Sequence, residues 1–196
     1  MTTKRILIIQ GHPDPAGTHL GHVLASAYAN GATEASHEVR LVTVAKLAFP
    51  LLQTQKDWEH GALPDSLVTA QADMAWAEHI VFFYPLWLGD MPAILKGFLE
   101  QVARPGFAFK KEGKNPFGIK ALGGRSARVV VTMGMPALVY RWYFGAHSVK
   151  LLERNILGFV GIAPIHRTLI GMVDRLQKKG VAKWEEKLRE LGKTAT

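Results

Sequence analysis

Three short segments gather the glycines and side chains that could grip a ligand. The first is Gly11-His12-Pro13-Asp14-Pro15-Ala16-Gly17-Thr18, between an apolar run and a helical pattern. Backbone N–H groups at such a junction, the positive end of the helix dipole, the Thr18 hydroxyl and the imidazoles of His12 and His19 would together suit an anion. Two readings stand for it, a phosphate cradle or an ordinary capped turn marked by Gly and Pro. The second segment runs from Pro85 through Leu86, Trp87, Leu88, Gly89, Asp90 and Met91 to Pro92. Left in water, Leu86, Trp87 and Met91 would expose large apolar areas, so something flat must cover them: a planar aromatic ligand, a neighbouring subunit or another loop of the chain. The third, Thr132-Met133-Gly134-Met135-Pro136, contains a glycine that lets backbone approach a ligand and present N–H groups, or that serves a plain turn. Beyond it, Tyr140, Trp142, Tyr143 and His147 gather polar-tipped aromatics and an imidazole, some of which fit a core equally well.

What is missing narrows the chemistry. The chain has no cysteine, which excludes a disulfide scaffold, a thiolate nucleophile and cysteine-ligated metal centres, so redox work needs a borrowed cofactor. Neither GxxxxGK[ST] nor GxGxxG occurs, and P-loop and Rossmann dinucleotide readings lose their main support. His19 and His22 lie one helical turn apart, yet no carboxylate is obviously placed to complete a metal site with them. The net charge of +8 comes from 24 Lys and Arg against 16 Asp and Glu. Much of the excess falls between Arg104 and Arg128 and in the last 22 residues, where lysines alternate with Glu185, Glu186 and Glu190. Such alternation is the pattern of a solvated helix face, and nucleic-acid binding is not expected.

These segments need elements to position them. At 196 residues, 48% hydrophobic and 20% charged, the composition is that of a globular protein, read as one domain over residues 1–196. The apolar run Ile6–Ile9 is too short for a signal-peptide core and no stretch nears the roughly 18 apolar residues of a membrane span, so a cytoplasmic protein is expected. Arg5 to Gln10 and His79 to Tyr84 read as strands covered on both faces, as does Arg128 to Met133. Glu38 to Val44 alternates and belongs at an edge, and a fifth strand runs from Ala163 to Ile170. Helices are expected from Thr18, as N-cap, to Ala35, from Asp65 to Glu78, after Asp90 with Pro92 in the first turn, from Gly145 to Gly158, and from Val181 to Leu191. The stretches Ala48 to Pro64 and Arg104 to Ser126 read as irregular excursions. Strands alternating with helices imply parallel pairing and right-handed crossovers: a flavodoxin-like α/β fold with a five-stranded parallel sheet, order 2-1-3-4-5, and helices on both faces. Ligands in such a sheet lie beyond the carboxyl ends of the strands where the winding reverses, which is where all three segments fall.

Gly11-His12-Pro13 with Thr18, Tyr84-Pro85-Leu86-Trp87, Met91-Pro92-Ala93-Ile94-Leu95-Lys96-Gly97-Phe98 and Gly106-Phe107-Ala108-Phe109, in this order, resemble the flavin-dependent NAD(P)H:quinone reductases over roughly residues 4 to 170. The resemblance implies a homodimer with the active site at the subunit interface. It implies two-electron, ping-pong reduction of quinones, with azo or nitro compounds as further acceptors, by NADH or NADPH through FAD or FMN, FAD being preferred from the PAILKGF and GFAF blocks. Carried over, His12, Thr18 and Leu20 meet the flavin's phosphate and ribityl chain. Pro85, Leu86, Trp87 and Leu88 wall the ring, and Thr132, Met133, Gly134 and Met135 lie beside its pyrimidine edge. Tyr140 and His147 correspond to the substrate-pocket pair that would supply a proton, with Tyr143 a competitor for Tyr140 because the spacing is one residue longer. The family's Thr-Thr-Gly-Gly is Thr-Met-Gly-Met here, and an asparagine of the first loop is Gly21. The basic stretch from Lys110 to Lys120 is a candidate flap over the partner's site or a plain charged loop. Members that assist potassium efflux systems supply a rival reading, a flavin-binding ancillary subunit with a membrane transporter as partner. A flavodoxin-type electron carrier fits poorly, because those carriers are strongly acidic.

Overall fold

The computed structural model describes residues 2–112 and 115–196, including all their side chains except those of residues 110–119. Strands β1 (Arg5–Gln10), β2 (Glu38–Thr43), β3 (His79–Pro85), β6 (Ser126–Thr132) and β7 (Ile165–Ile170) form one parallel sheet in the order β2-β1-β3-β6-β7. Counted along the chain, that is the expected 2-1-3-4-5. Registers such as Ile8↔Val81 and Val81↔Arg128 carry the pairing through the middle. The apolar strands are central because both of their faces are covered. Leu7, Ile9, Phe82, Val129 and Val131 pack on the side of α3 (Asp65–Trp76) and α4 (Ala93–Val102), while Ile6, Ile8, Val81, Phe83 and Val130 pack against α1 (Leu20–Glu34) and α8 (Lys178–Thr194). The alternating β2 lies at an edge, as expected.

Several local expectations are corrected. Helix α1 starts one residue late, with His19 rather than Thr18 at the N-cap position and no side chain capping it. Pro92 takes the N-cap position of α4, and Asp90, two residues upstream, accepts from the Met91 N–H at 2.7 Å. The stretch 48–64 contains a short helix, α2 (Gln55–His60), because the Thr54 hydroxyl accepts from the Asp57 N–H at 3.0 Å. The stretch 104–126 contains an antiparallel pair, β4 (Phe109–Glu112) with β5 (Asn115–Lys120). The flap expected there carries side chains, from Lys110 to Ile119, that lie outside the described residues. The helix expected from Gly145 to Gly158 begins instead after a turn at Gly145 and Ala146, both at positive φ, and runs without a gap as α6 (His147–Lys150), a π-helical stretch Leu151–Leu157 and α7 (Gly158–Val160), while a separate short helix, α5 (Ala137–Trp142), precedes the turn.

Arg104, just past α4 and 7% exposed, fastens the stretch 48–64 to the body. Its guanidinium donates to the Gly61 carbonyl at 2.6 Å and to those of Asp57 and Ala62. Gln101 donates to the Pro50 carbonyl at 2.7 Å. Arg104→Met keeps the apolar stem but leaves these carbonyls without their charged donor, a cost of about 2 kcal/mol. The expected result is a lower urea midpoint together with faster proteolytic cleavage between residues 48 and 64. An unchanged cleavage rate would contradict this anchoring role.

Candidate functional site

The carboxyl ends of β1, β3 and β6 are tied to one another just where their loops leave the sheet. The Gly11 N–H donates to the Phe83 carbonyl at 2.7 Å, the Leu86 N–H to Thr132 at 2.8 Å and the Met133 N–H to Ile170 at 2.8 Å. Three loops that could have diverged are thereby held at one rim.

The first loop is rigid because its own side chains satisfy it. Gln10, the one buried polar side chain of β1, accepts from the His12 N–H at 3.1 Å. The His12 Nδ1 accepts from the Asp14 N–H at 3.0 Å, which leaves the ring proton on Nε2. Asp14 accepts from the Ala16 N–H at 2.8 Å and pairs with the His19 Nε2 at 2.7 Å. The rings of His12 and His19 stack 4.0 Å apart, and Trp87 meets His12 edge-on at 6.0 Å, which joins the first loop to the second. Among the described residues, the N–H groups of Gly17, Thr18, His19, Leu20 and Gly21 have no protein acceptor. Free donors of this kind at a helix head are available to an anion or to water. Thr18 is exposed, Leu20 half-buried and His12 buried.

In the second loop Trp87 and Asp90 exchange backbone hydrogen bonds of 2.9 and 3.0 Å around Leu88 and Gly89, whose φ values of 47° and 82° give the type I′ pattern. The turn holds Trp87 out of the core at 52% exposure and Leu88 fully in solvent, with Pro85 and Leu86 half-buried beneath them. In the third loop Thr132 and Met133 are buried, with the Thr132 carbonyl, the Met133 N–H and the Met133 carbonyl taken by Leu86, Ile170 and Val173; Gly134 is exposed and Met135 half-buried. The N–H groups of Gly134 and Met135 also have no acceptor among the described residues. This loop is fixed from behind by Met172 and Val173, whose N–H groups donate to Met135 and Met133 at 3.1 and 3.2 Å. Gly171 permits that contact, since a Cβ there would sit 2.4 Å from the Ala137 nitrogen. Asp174 brings a carboxylate to the same place, its Oδ2 3.0 Å from where a Gly134 side chain would begin.

The expected proton donors separate. The Tyr140 hydroxyl is buried, shares a hydrogen bond of 2.7 Å with Ser148 and accepts from the Val149 N–H. Tyr143 is 84% exposed and His147 is exposed as well. Sequence reasoning missed Gln10, Gly171 and Asp174; only Gln10 left a signal, as the polar end of RILIIQ. Burial and its histidine neighbours lower the pKa of His12, and the same causes lower that of His22. Among the described residues no group of His, Cys, Asp and Glu is arranged to hold a metal ion, and no helix is long and apolar enough to cross a membrane. An open apolar cavity of about 540 Å³ lies elsewhere, walled by Leu52, Trp58, Leu99, Phe109, Ile156 and Phe159, with none of the expected site residues in its lining.

The model of the flavodoxin-like fold family matches residues 4–193. The chain belongs to that family. A relative in Azotobacter vinelandii, an FMN-dependent NADH:quinone oxidoreductase, is 30% identical over 142 residues, 71% of this chain and 68% of its own. A ribosyldihydronicotinamide dehydrogenase-like protein of Penicillium crustosum is 28% identical over 155 residues, and the chain spans 57% of its length. The solved NAD(P)H:quinone oxidoreductase of Methanothermobacter marburgensis superposes with a TM-score of 0.79 at 20% identity, covering 98% of this chain and 97% of that one. That likeness shares the fold. The flavin named for the Azotobacter relative is FMN, and the preference for FAD finds no support in these flavodoxin-like proteins.

Proposed function

We propose that the chain is a flavin-dependent NAD(P)H:quinone oxidoreductase that carries FMN, formed as one domain and working as a homodimer. The observation that carries this reading is the convergence, at one rim, of partnerless N–H groups from the first and third loops with the exposed face of Trp87. A phosphate fits the five donors of Gly17 to Gly21 beside His12 and Thr18. Leu20 borders the ribityl chain, and Pro85, Leu86, Trp87 and Leu88 wall the ring. The Gly134 and Met135 N–H groups serve the pyrimidine edge, and the buried Thr132 and Met133 anchor them there. When bound, the flavin supplies two-electron transfer from NADH or NADPH to a quinone or azo compound.

Of the two tyrosines, Tyr143 suits the proton role with His147, because the Tyr140 hydroxyl is occupied inside the core. The exposed apolar rim of Trp87, Leu88, Leu138, Trp142, Tyr143 and Phe144 supports a second copy of the chain as cover. Names of the relatives lend a transporter partner no support. The test is uptake of FMN, FAD and riboflavin by the purified protein, followed by menadione turnover with NADH and NADPH. The expected result is stoichiometric FMN and sustained turnover; a folded protein that stays colourless with every flavin would overturn the reading.

A further inference from the structure

Three imidazoles crowd the head of α1. The His12 and His19 centroids are 4.0 Å apart, those of His12 and His22 5.3 Å, and those of His19 and His22 5.9 Å. Both ring nitrogens of His22 are shut off from solvent without a hydrogen-bond partner, and so is the Nε2 of Gln10, a residue 1% exposed that lies beneath the first turn of the helix. Unsatisfied buried polar atoms at this density call for a ligand, because each costs about 1–3 kcal/mol while it lacks a partner. The first turn of α1 holds no acidic residue and no side-chain cap.

We propose that His12, His19 and His22 act together as a clamp for the phosphate monoester of the flavin, taking up protons as it binds, so that the site selects phosphate-bearing flavin over riboflavin. This rests on the flavin reading above.

The groups that face the cluster set the sign of the linkage. Asp14, from the same loop, is held by His19 and by the Ala16 N–H. Lys46, after β2, acts on His22 and disfavours its charged form. Helix α8 brings Glu185, Glu186 and Arg189 to the groove that His22 lines, and Arg189 is engaged there by Glu34. From the second loop, Asp90 spends its carboxylate on the Met91 N–H. Without a ligand, burial first and the neighbouring rings within 6 Å second lower the pKa of His12 and of His22 against the opposing pull of the Asp14 carboxylate, which favours their neutral forms. A phosphate dianion reverses the balance and raises the pKa of His12 and His22. Between the free and bound pKa values, affinity then falls as pH rises, by up to about tenfold per unit for each proton taken up. The second ionisation of the phosphate near pH 6 limits the gain on the acid side.

Flavin fluorescence titrations from pH 6.5 to 8.5 with FMN and riboflavin test the clamp, alongside calorimetry in two buffers of different ionisation enthalpy to count protons. FMN binding is expected to weaken at least tenfold across that range with net proton uptake, and riboflavin binding to change less than twofold. His22→Gln should flatten the FMN slope and leave riboflavin affinity in place; His19→Asn provides the same comparison if the first variant does not fold. Equal pH slopes for the two flavins, or no proton uptake by the wild-type protein, would overturn the clamp while leaving the flavin reading intact. Failure to bind either flavin would overturn both.

Discussion

Gly31→Ala is expected to lower stability by about 3 kcal/mol, although alanine is the better helix former by about 1 kcal/mol at an unconstrained site. The reason is a backbone crossing. A Cβ on Gly31 in α1 would come 1.9 Å from the Arg189 carbonyl oxygen of α8, and one on Gly192 in α8 would come 2.1 Å from the Tyr28 carbonyl oxygen of α1. Neither atom is the loose end of a side chain, so relief requires the helices to separate and to disturb Leu188 and Tyr28, both fully buried between them and the sheet. Gly21→Ala, in the same helix, provides the contrast. Its Cβ would meet nothing closer than Gln10 at 3.9 Å, an ordinary contact, and its expected effect is zero or a gain of up to about 1 kcal/mol. Urea unfolding of the two variants checks the pair. Equal midpoints would mean that α1 and α8 do not depend on the glycine crossing.

How much of this could be read from the sequence depends on how locally each feature is encoded. The apolar runs of β1, β3 and β6 announced strands covered on both faces, and once five such strands alternated with helices the handedness of crossovers left few sheet orders to choose among. Helix α4 was legible from the spacing of Ile94, Leu95, Phe98, Leu99 and Val102, of which Ile94 is half-buried and the others buried. What escaped was decided by contacts between distant residues. The end of α5 depends on the left-handed turn at Gly145 and Ala146, and with six residues in that helix the pattern could not say whether Tyr140 or Tyr143 faces inward. The resemblance pointed first to Tyr140, the one whose hydroxyl the core retains. The three loops were found because glycine, proline and tryptophan are conspicuous in sequence, whereas Asp174 and Gly171 reach the third loop from beyond β7 with no motif to mark them.

Trp87→Ala is the substitution with the largest expected effect on binding. Half of this side chain is exposed, and the I′ turn at Leu88 and Gly89 fixes the loop through backbone hydrogen bonds that the substitution leaves intact. Stability should therefore change by less than about 0.5 kcal/mol, as at other exposed positions. Covering the exposed half of an indole removes on the order of 100 Å² of apolar surface from water, about 2.5 kcal/mol, which amounts to tenfold to a hundredfold in the dissociation constant of a ring stacked there. Because the contact is with the ring and not the phosphate, FMN and riboflavin should weaken by the same factor at every pH, and Trp87→Phe should recover part of the loss. That common factor separates the wall from the histidine clamp, whose loss touches FMN alone. If Trp87→Ala bound both flavins as tightly as the wild type, the exposed indole would belong to the subunit interface and the ring would have to lie elsewhere on the rim.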